Sequence, residues 1–273
     1  MTSRNKHTLA NLVLSIIFVI IIGIVAATTM DTGTGQESST ESTGVPQVEL
    51  PKSTLQGVSE TIVQHTGYTV SFNSDWNIPN WVAYELTKEE VAGEEPRAQH
   101  FVPDPKIKNC PTTDDYKNSG YDRGHMAPAG DMKWSETAMK ESFYLSNICP
   151  QNRNLNSGDW KSLEEHLRTM ATQYDKVYIA CGPIVSTSSK TIGAEHKVTV
   201  PDAFFKAVLR QKGDSWSAIG FMFANEAGHK SLSTYAMSIE DLQIITDIDF
   251  FYNLPDEIEE KVEASYSLKD WDL

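Results

Sequence analysis

Apolar and polar residues alternate over many short stretches of this chain, and residues that favour turns separate the stretches. Successive side chains of a strand point to opposite faces, so this pattern is typical of half-buried β-strands. Glycine, asparagine, aspartate and proline between the stretches indicate turns. The pattern predicts six strands, at Tyr68–Phe72, Trp81–Glu85, Lys176–Cys181, Lys197–Val200, Phe204–Leu209 and Ala218–Phe223.

Three other stretches carry apolar residues at the spacing of a helix. They predict helices at Ser135–Ser142, Gly158–Thr172 and Ser238–Ile244, and the first and third begin with a serine that can cap the helix N-terminus. Strands lie both before and after the central helical stretch. This order predicts an α+β fold with a central, mostly antiparallel sheet and flanking helices.

The N-terminal part of the chain follows a different pattern. Residues 1–8 are short and basic, and residues 9–27 form an uncharged apolar run that is long enough to cross a hydrocarbon core at about 1.5 Å per residue. Because the basic flank comes first, we expect a cytoplasmic segment, a transmembrane signal anchor, and the remaining chain outside the cytoplasm, periplasmic or extracellular. Cleavage after the run would instead give a secreted protein. Residues 28–57, rich in Thr, Ser, Gly and Glu, predict a flexible linker ahead of one folded domain at 58–273.

The overall composition fits a single globular domain with appendages, since the chain has 273 residues of which 40% are hydrophobic. The formal net charge of −14 argues against stable, non-specific binding of nucleic acid, but not against an enzyme that contacts a polyanion briefly. Glu240–Leu273 holds eleven acidic and two basic residues, whereas Ser119–Met170 holds seven and six, so the acidic excess lies mostly elsewhere. The three cysteines match no zinc pattern and fit either one disulfide plus a free thiol or three buried thiols.

The strongest candidate for chemistry is the polar cluster Tyr121–Pro128, which carries one imidazole, that of His125. A lone histidine is more often structural than catalytic. Here it is followed by Asn147 and then by a helical stretch with Asn156 and Glu164. An imidazole, an amide and a carboxylate in this order supply a base, a ligand for a hard metal ion and a group that holds a metal-bound water. One-metal hydrolysis of a phosphodiester needs these groups.

The spacing of Asn156 and Glu164 refines this prediction. On one continuous helix they would lie about 80° apart around the axis and about 12 Å apart along it, so both are not expected to bind one ion directly. Asn156 would bind the ion and Glu164 would hold one of its waters, which suits Mg²⁺. In the structural alternative, Asn156 only caps the helix and Glu164 pairs with Arg168 on the surface.

Three ordered motifs resemble those of the DNA/RNA non-specific endonucleases, the sugar-non-specific nucleases with a ββα-metal fold. The motifs are Asp122–Pro128 (Asp-Arg-Gly-His-Met-Ala-Pro), Tyr144–Gln151 and Leu155–Glu164, and weaker similarity extends over about residues 60–270. The resemblance implies that residues 58–273 form a nuclease domain of this fold. It also implies transient binding of DNA and RNA without sequence preference, and their hydrolysis to 5′-phosphate products.

Position by position, the resemblance implies that His125 is the general base, Asn156 the direct ligand of Mg²⁺ and Glu164 a ligand through water. Mn²⁺ could substitute for Mg²⁺. An attack that does not use the 2′-hydroxyl would explain why both DNA and RNA are cut. Three more residues are implied to shape the site or contact the phosphate: Arg123, Asn147 and Arg168.

Two other functions stay open. The acidic surface would suit an enzyme of the same chemistry that acts on small phosphodiesters, because like charge slows the approach of a polyanion. A non-catalytic, anchored binding module would not need His125, Asn156 and Glu164 together. Five basic residues either form a weakly basic groove for nucleic acid or are separate solvated charges: Arg123, Lys133, Arg153, Lys161 and Arg168.

Overall fold

The computed structural model describes residues 47–273. In this range the strands are β1 (Lys52–Ser53), β2 (Thr61–Gln64), β3 (Thr69–Asn73), β4 (Ile78–Thr87), β5 (Asp122–His125), β6 (Ile148–Gln151), β7 (Lys176–Ile184), β8 (Thr191–Ile192), β9 (Val198–Thr199), β10 (Ala203–Lys212), β11 (Ser215–Ala224), β12 (Ala236–Met237) and β13 (Ile248–Asp249). The helices are α1 (Lys88–Val91), α2 (Glu136–Glu141), α3 (Arg153–Ser157), α4 (Asp159–Tyr174), α5 (Ile239–Thr246) and α6 (Asp256–Ala264). Short 3-10 helices lie at Thr113–Tyr116, Ala129–Asp131, Leu145–Asn147, Leu232–Thr234 and Leu268–Trp271.

A seven-stranded sheet forms the centre of the fold, in the order β12-β11-β10-β7-β4-β3-β2. All neighbouring strands in it are antiparallel, which confirms the predicted α+β fold with a mostly antiparallel central sheet. The longest pairing joins β10 to β11, and Gly213, with a φ of +58°, turns the chain between them. The predicted strands and helices are all present within a few residues of their expected bounds.

Both faces of the sheet are covered, so β10 is buried over most of its length instead of alternating between core and solvent. One face packs against α4, whose Trp160, Leu163 and Leu167 are at most 1% exposed. The opposite face packs against α5 and α6 through residues such as Leu242 and Val262. The pair of strands β5 and β6 contributes to the α4 side, and this position brings the candidate chemistry close to the sheet.

The folded domain begins before residue 58, the predicted boundary. Val48 is buried, and β1 pairs with β13 in a small antiparallel sheet. Residues 47–57 therefore belong to the fold, because they close against the C-terminal part of the chain. The other predicted N-terminal parts, namely the basic segment at 1–8, the anchor at 9–27 and the first part of the linker, lie outside the described residues.

The three cysteines, Cys110, Cys149 and Cys181, are free and buried, as the second of the two alternatives expected. Burial raises the pKa of Cys110 to about 11 and raises the pKa of Cys149 and Cys181 as well. These thiols therefore stay protonated near pH 7 and pack as small apolar groups.

Leu163 lies in the buried face of α4 and offers a test of this packing. Truncation by Leu163→Ala leaves a cavity between helix and sheet, so we expect a loss of about 2–5 kcal/mol in the free energy of unfolding. Glu165→Ala, at an exposed position of the same helix, should cost less than about 0.5 kcal/mol. Urea denaturation followed by circular dichroism measures both, and equal losses would contradict the assigned buried face.

Candidate active site

The candidate site is built on two strands outside the central sheet. β5 pairs with β6 in an antiparallel register, and α3 and α4 follow β6 directly along the chain. Two strands followed by a helix is the ββα arrangement that the resemblance implied. The pairing requires glycine at position 124, because a Cβ there would lie 2.2 Å from Oε1 of the buried Gln151.

His125 ends β5 and is 8% exposed. Its ring packs against Phe101 and Phe143, with centroid distances of 5.3 and 4.9 Å, and its Nε2 has no hydrogen-bond partner within residues 47–273. Burial, helped by the positive charge of Arg97, lowers the pKa of His125 to about 3. The imidazole is therefore neutral at pH 7, which is the state that a general base needs.

Side chains from other elements hold the backbone next to His125. Asn147 is fully buried; its Oδ1 accepts a hydrogen bond from the amide of Ala127, and its Nδ2 donates to the carbonyl of Ala127, both at 2.9 Å. The same Nδ2 donates to Ser142 O, and Nε1 of Trp160 donates to His125 O at 3.3 Å. Asn147 thus holds the segment that carries the imidazole. Asn147 itself does not face solvent.

The helical stretch predicted to carry both Asn156 and Glu164 is divided into two helices. α3 ends just before Gly158, and α4 begins just after it. The φ of −109° and ψ of −113° of Gly158 are not helical. A Cβ at Gly158 would lie 2.3 Å from Asn154 O, so a larger residue would disturb this break. The separation of about 80° and about 12 Å assumed a continuous helix and therefore does not apply to this structure.

Asn156 lines an open cleft of about 350 Å³. Its Nδ2 donates to Oδ2 of Asp122 at 3.2 Å, and Nε of Arg153 donates to the other oxygen of the same carboxylate, also at 3.2 Å. The hydrogen bond uses the nitrogen of the Asn156 amide and leaves Oδ1 for a ligand. Amide and carboxylate oxygens are hard donors, so these two neighbouring side chains fit Mg²⁺, which takes few protein ligands.

Phe101 separates this cleft from His125. The phenyl ring lines the cleft, and the guanidinium of Arg123, another lining residue, lies 4.6 Å from the ring centroid. The imidazole contacts the same ring but does not line the cleft itself. The structure therefore brings Arg123 and Asn156 into one cleft and places His125 beside its wall.

Glu164 and Arg168 belong to a cluster of charges on the inner side of α4. Nη1 of Arg168 donates to the buried Asp131 at 2.6 Å, and the hydroxyl of Tyr84 donates to the other carboxylate oxygen at 2.9 Å. Arg168 thus pairs with Asp131, and not with Glu164 as in the structural alternative. Burial raises the pKa of Glu164 to about 7, against the opposing charge of Lys206. A bound cation would favour the ionised form of this carboxyl.

The five basic residues considered as a groove do not all line one cleft. Of this set, Arg123 and Arg153 line the cleft. The others are engaged elsewhere: Lys133 lines a separate pocket, Lys161 forms an exposed pair with Glu165, and Arg168 pairs with Asp131.

Arg97 is a candidate site residue that the sequence analysis did not identify. Its guanidinium lies 5.0 Å from the ring centroid of Phe143, and its charge lowers the pKa of both His125 and Glu164. Arg97 therefore lies near the two groups that were predicted to act together. It precedes the first motif by 25 residues and stands in a stretch without strand or helix pattern, so no sequence signal marked it.

Known proteins resemble this chain over most of the described residues. The model of the DNA/RNA non-specific endonuclease family matches residues 48–257. The mitochondrial nuclease EXOG of Mus musculus is 34% identical over 209 residues, which are 70% of this chain and 57% of that protein. The mitochondrial endonuclease G of Bos taurus is 29% identical over 222 residues, which are 76% of this chain and 74% of that protein. The chain spans between 56% and 60% of the length of four EXOG proteins, from mouse, zebrafish, human and Xenopus laevis.

A solved structure shares the fold. The crystal structure of an EndoG/EndoGI complex matches with a TM-score of 0.68 and 27% identity, over 73% of this chain and 89% of that chain. The expected ββα-metal nuclease fold is thereby confirmed.

The predicted location is corrected by these comparisons. A membrane-anchored enzyme outside the cytoplasm was expected, but the EXOG and endonuclease G relatives and a nuclease of Schizosaccharomyces pombe are named as mitochondrial. Within residues 47–273, no helix combines the length and the apolar character needed to cross a membrane. The names of these relatives do not support the predicted transmembrane signal anchor or membrane partner, and the apolar run at 9–27 itself lies outside the described residues.

The low pKa of His125 predicts a dependence of stability on pH. Between the native pKa of about 3 and the ordinary value of 6.5, the unfolded chain binds a proton that the folded chain does not. This contribution to stability is therefore intact above about pH 6.5 and is lost as the pH falls, by about 2–3 kcal/mol at about pH 4.5. Urea denaturation of the wild type and of His125→Gln at both pH values measures it. The variant should lose less stability on acidification, and an identical loss would contradict the buried, neutral imidazole.

Proposed function

Because the chain belongs to the DNA/RNA non-specific endonuclease family, we propose that it hydrolyses phosphodiester bonds of DNA and RNA to 5′-phosphate products. The proposed cofactor is Mg²⁺, for which Mn²⁺ would substitute. One strand carries the proposal. β5 ends with the neutral imidazole of His125, and three residues earlier it provides Asp122, the carboxylate that holds the amide of Asn156.

His125 is the proposed general base, which takes a proton from the water that attacks phosphorus. Its Nε2 is buried and has no hydrogen-bond partner in the described part of the chain, so no protein group competes for this nitrogen once water and substrate reach it. A base works best when its pKa is near the working pH. An approaching phosphate would raise the pKa of His125 from about 3 toward that range, because a nearby anion stabilises the imidazolium.

Asn156 is the proposed direct ligand of the metal ion, and Glu164 the proposed ligand through water. When bound, Mg²⁺ would neutralise charge on the phosphate and on the leaving oxygen. Asp122 orients the amide of Asn156, since it accepts a hydrogen bond from Nδ2 and so turns Oδ1 away from itself. Charges from Lys206 and Arg168 favour the ionised form of Glu164, which a ligand of a metal-bound water requires.

The remaining predicted residues divide into two roles. Arg123 lines the cleft and would contact the phosphate with a forked, charged donor. Asn147 and Arg168 would act at one remove: the first holds the backbone beside His125, and the second is fixed by the buried Asp131.

The first test is metal-dependent degradation of long nucleic acid by the full chain. We expect plasmid DNA and structured RNA to be cut with Mg²⁺ or Mn²⁺ and to stay intact with EDTA. Products that a DNA ligase can rejoin would support 5′-phosphate ends. Cleavage of small model diesters alone would favour the small-substrate alternative. A folded but inactive protein would favour a binding module.

The second test separates the base from the metal ligand. His125→Ala should lower the rate by about 100- to 10,000-fold and keep metal binding, because the base does not hold the ion. Asn156→Ala should lose both activity and affinity for Mg²⁺. His229→Ala, an exposed histidine outside the site, serves as the control and should keep full activity. Single-turnover kinetics and isothermal titration with Mg²⁺ measure the two effects, and an active His125→Ala enzyme would contradict the assigned base.

A further inference from the structure

Lys206 is a fully buried lysine in the middle of β10. Its neighbours on the same face of the sheet, Phe204 and Val208, are core residues that pack on the α4 side. Burying an ammonium group is costly unless its environment compensates for the lost water. Lys206 is not one of the motif residues and has no role in the function proposed above, beyond its charge near Glu164.

The ammonium group of Lys206 is held by two groups that are not carboxylates. Its Nζ donates a hydrogen bond to the carbonyl oxygen of Met126 at 3.4 Å, and it lies 4.2 Å from the ring centroid of Trp160. A cation over an indole face is attracted by the ring, most strongly where water is excluded. Lys206 therefore joins the sheet to α4 and to the residue that follows His125.

The same contacts form part of a larger set around the catalytic segment. Trp160, which lies against Lys206, donates its indole hydrogen to His125 O, and Sγ of Cys181 donates to Met126 O at 3.3 Å. The peptide group that contains Met126 O also contains Ala127 N, which donates to Oδ1 of Asn147. Two consecutive carbonyl groups, those of His125 and Met126, are thus fixed from the sheet and from α4.

We propose that Lys206 is a positioning residue for His125, which it aligns through Met126 O and the indole of Trp160. The inference rests on the proposed role of His125 as the base. Lys206 touches neither substrate nor metal. It supplies the only charged donor to this segment among the described contacts, and it anchors the segment to the longest strand pair of the sheet. Without Lys206, the peptide group between Met126 and Ala127 would keep two hydrogen bonds: the weaker one from the thiol of Cys181 to Met126 O, and the one from Ala127 N to Asn147.

The test replaces Lys206 by methionine, which keeps the length and the apolar stem and removes the charged donor. We expect Lys206→Met to lower kcat by about 10- to 100-fold, because a small misplacement of a catalytic group has effects of this size. KM should change by less than about twofold, since the residues that line the cleft are untouched. Lys206→Arg, which keeps a charged donor, should recover part of kcat.

Val208→Ala is the matched control, because it lies on the same strand and face and also removes buried groups. Both variants are assayed at a temperature where circular dichroism shows them folded. Suppose that Val208→Ala loses as much stability as Lys206→Met and that its kcat falls by the same factor. The effect on kcat is then general destabilisation, and the proposal is overturned. The proposal predicts that Val208→Ala stays within about threefold of the wild type.

A second readout does not depend on activity. The amide of Ala127 shares its peptide bond with Met126 O, so Lys206→Met should speed its hydrogen exchange by at least about tenfold, whereas Val208→Ala should not. If the wild type proves inactive, the proposed function fails, and this exchange rate still decides whether Lys206 fixes the segment. An unchanged exchange rate at Ala127 together with unchanged kcat would overturn the proposal.

Discussion

The backbone of His125–Ala127 is held by hydrogen bonds from other elements, and the candidate site depends on this constraint. A catalytic imidazole must be held to within about half an ångström of its working position. β5 has four residues and a single partner strand, which by themselves give little rigidity. The side chains of Asn147, Trp160 and Lys206 reach this segment from a 3-10 helix, from α4 and from β10. The site lies outside the central sheet, but these contacts fix it to the sheet and to α4.

Burial favours the neutral form of both titratable groups of the site, so it shifts the pKa of the base and of the acid in opposite directions. It keeps the imidazole of His125 neutral, and it raises the pKa of Glu164 to about 7, so that this carboxyl depends on neighbouring cations to stay ionised. Burial also disfavours the charge of Asp131, and hydrogen bonds from Arg168 and Tyr84 offset this effect. The net charge of −14 therefore says little about the site, where buried and half-buried cations face acids. The acidic excess near the C-terminus lies in other parts of the fold.

Much of this arrangement could be predicted from sequence, because its signals are local. Alternation marked the strands, helical spacing marked α4, and three motifs marked His125, Asn156 and Glu164. The spacing estimate extended the helix predicted at Gly158–Thr172 back to Asn156, and the close approach of Gly158 to Asn154 O that accompanies the break is visible only in three dimensions. Lys206 was missed for a related reason: a lysine inside an apolar strand reads as a core interruption, and its partner Met126 lies 80 residues away.

The central claim is that a divalent cation held at Asn156 in the cleft and the imidazole of His125, beside the wall of that cleft, act on the same phosphate. Titration with Mn²⁺, followed by nuclear magnetic resonance, tests it most directly, because the paramagnetic ion broadens the signals of nearby nuclei. The account predicts that the side-chain amide of Asn156 broadens first and that the ring of His125 follows. Sharp signals from both, with broadening instead around Asp249, Glu259 and Glu263, the carboxylates that lie within 4.8 Å of one another, would contradict it.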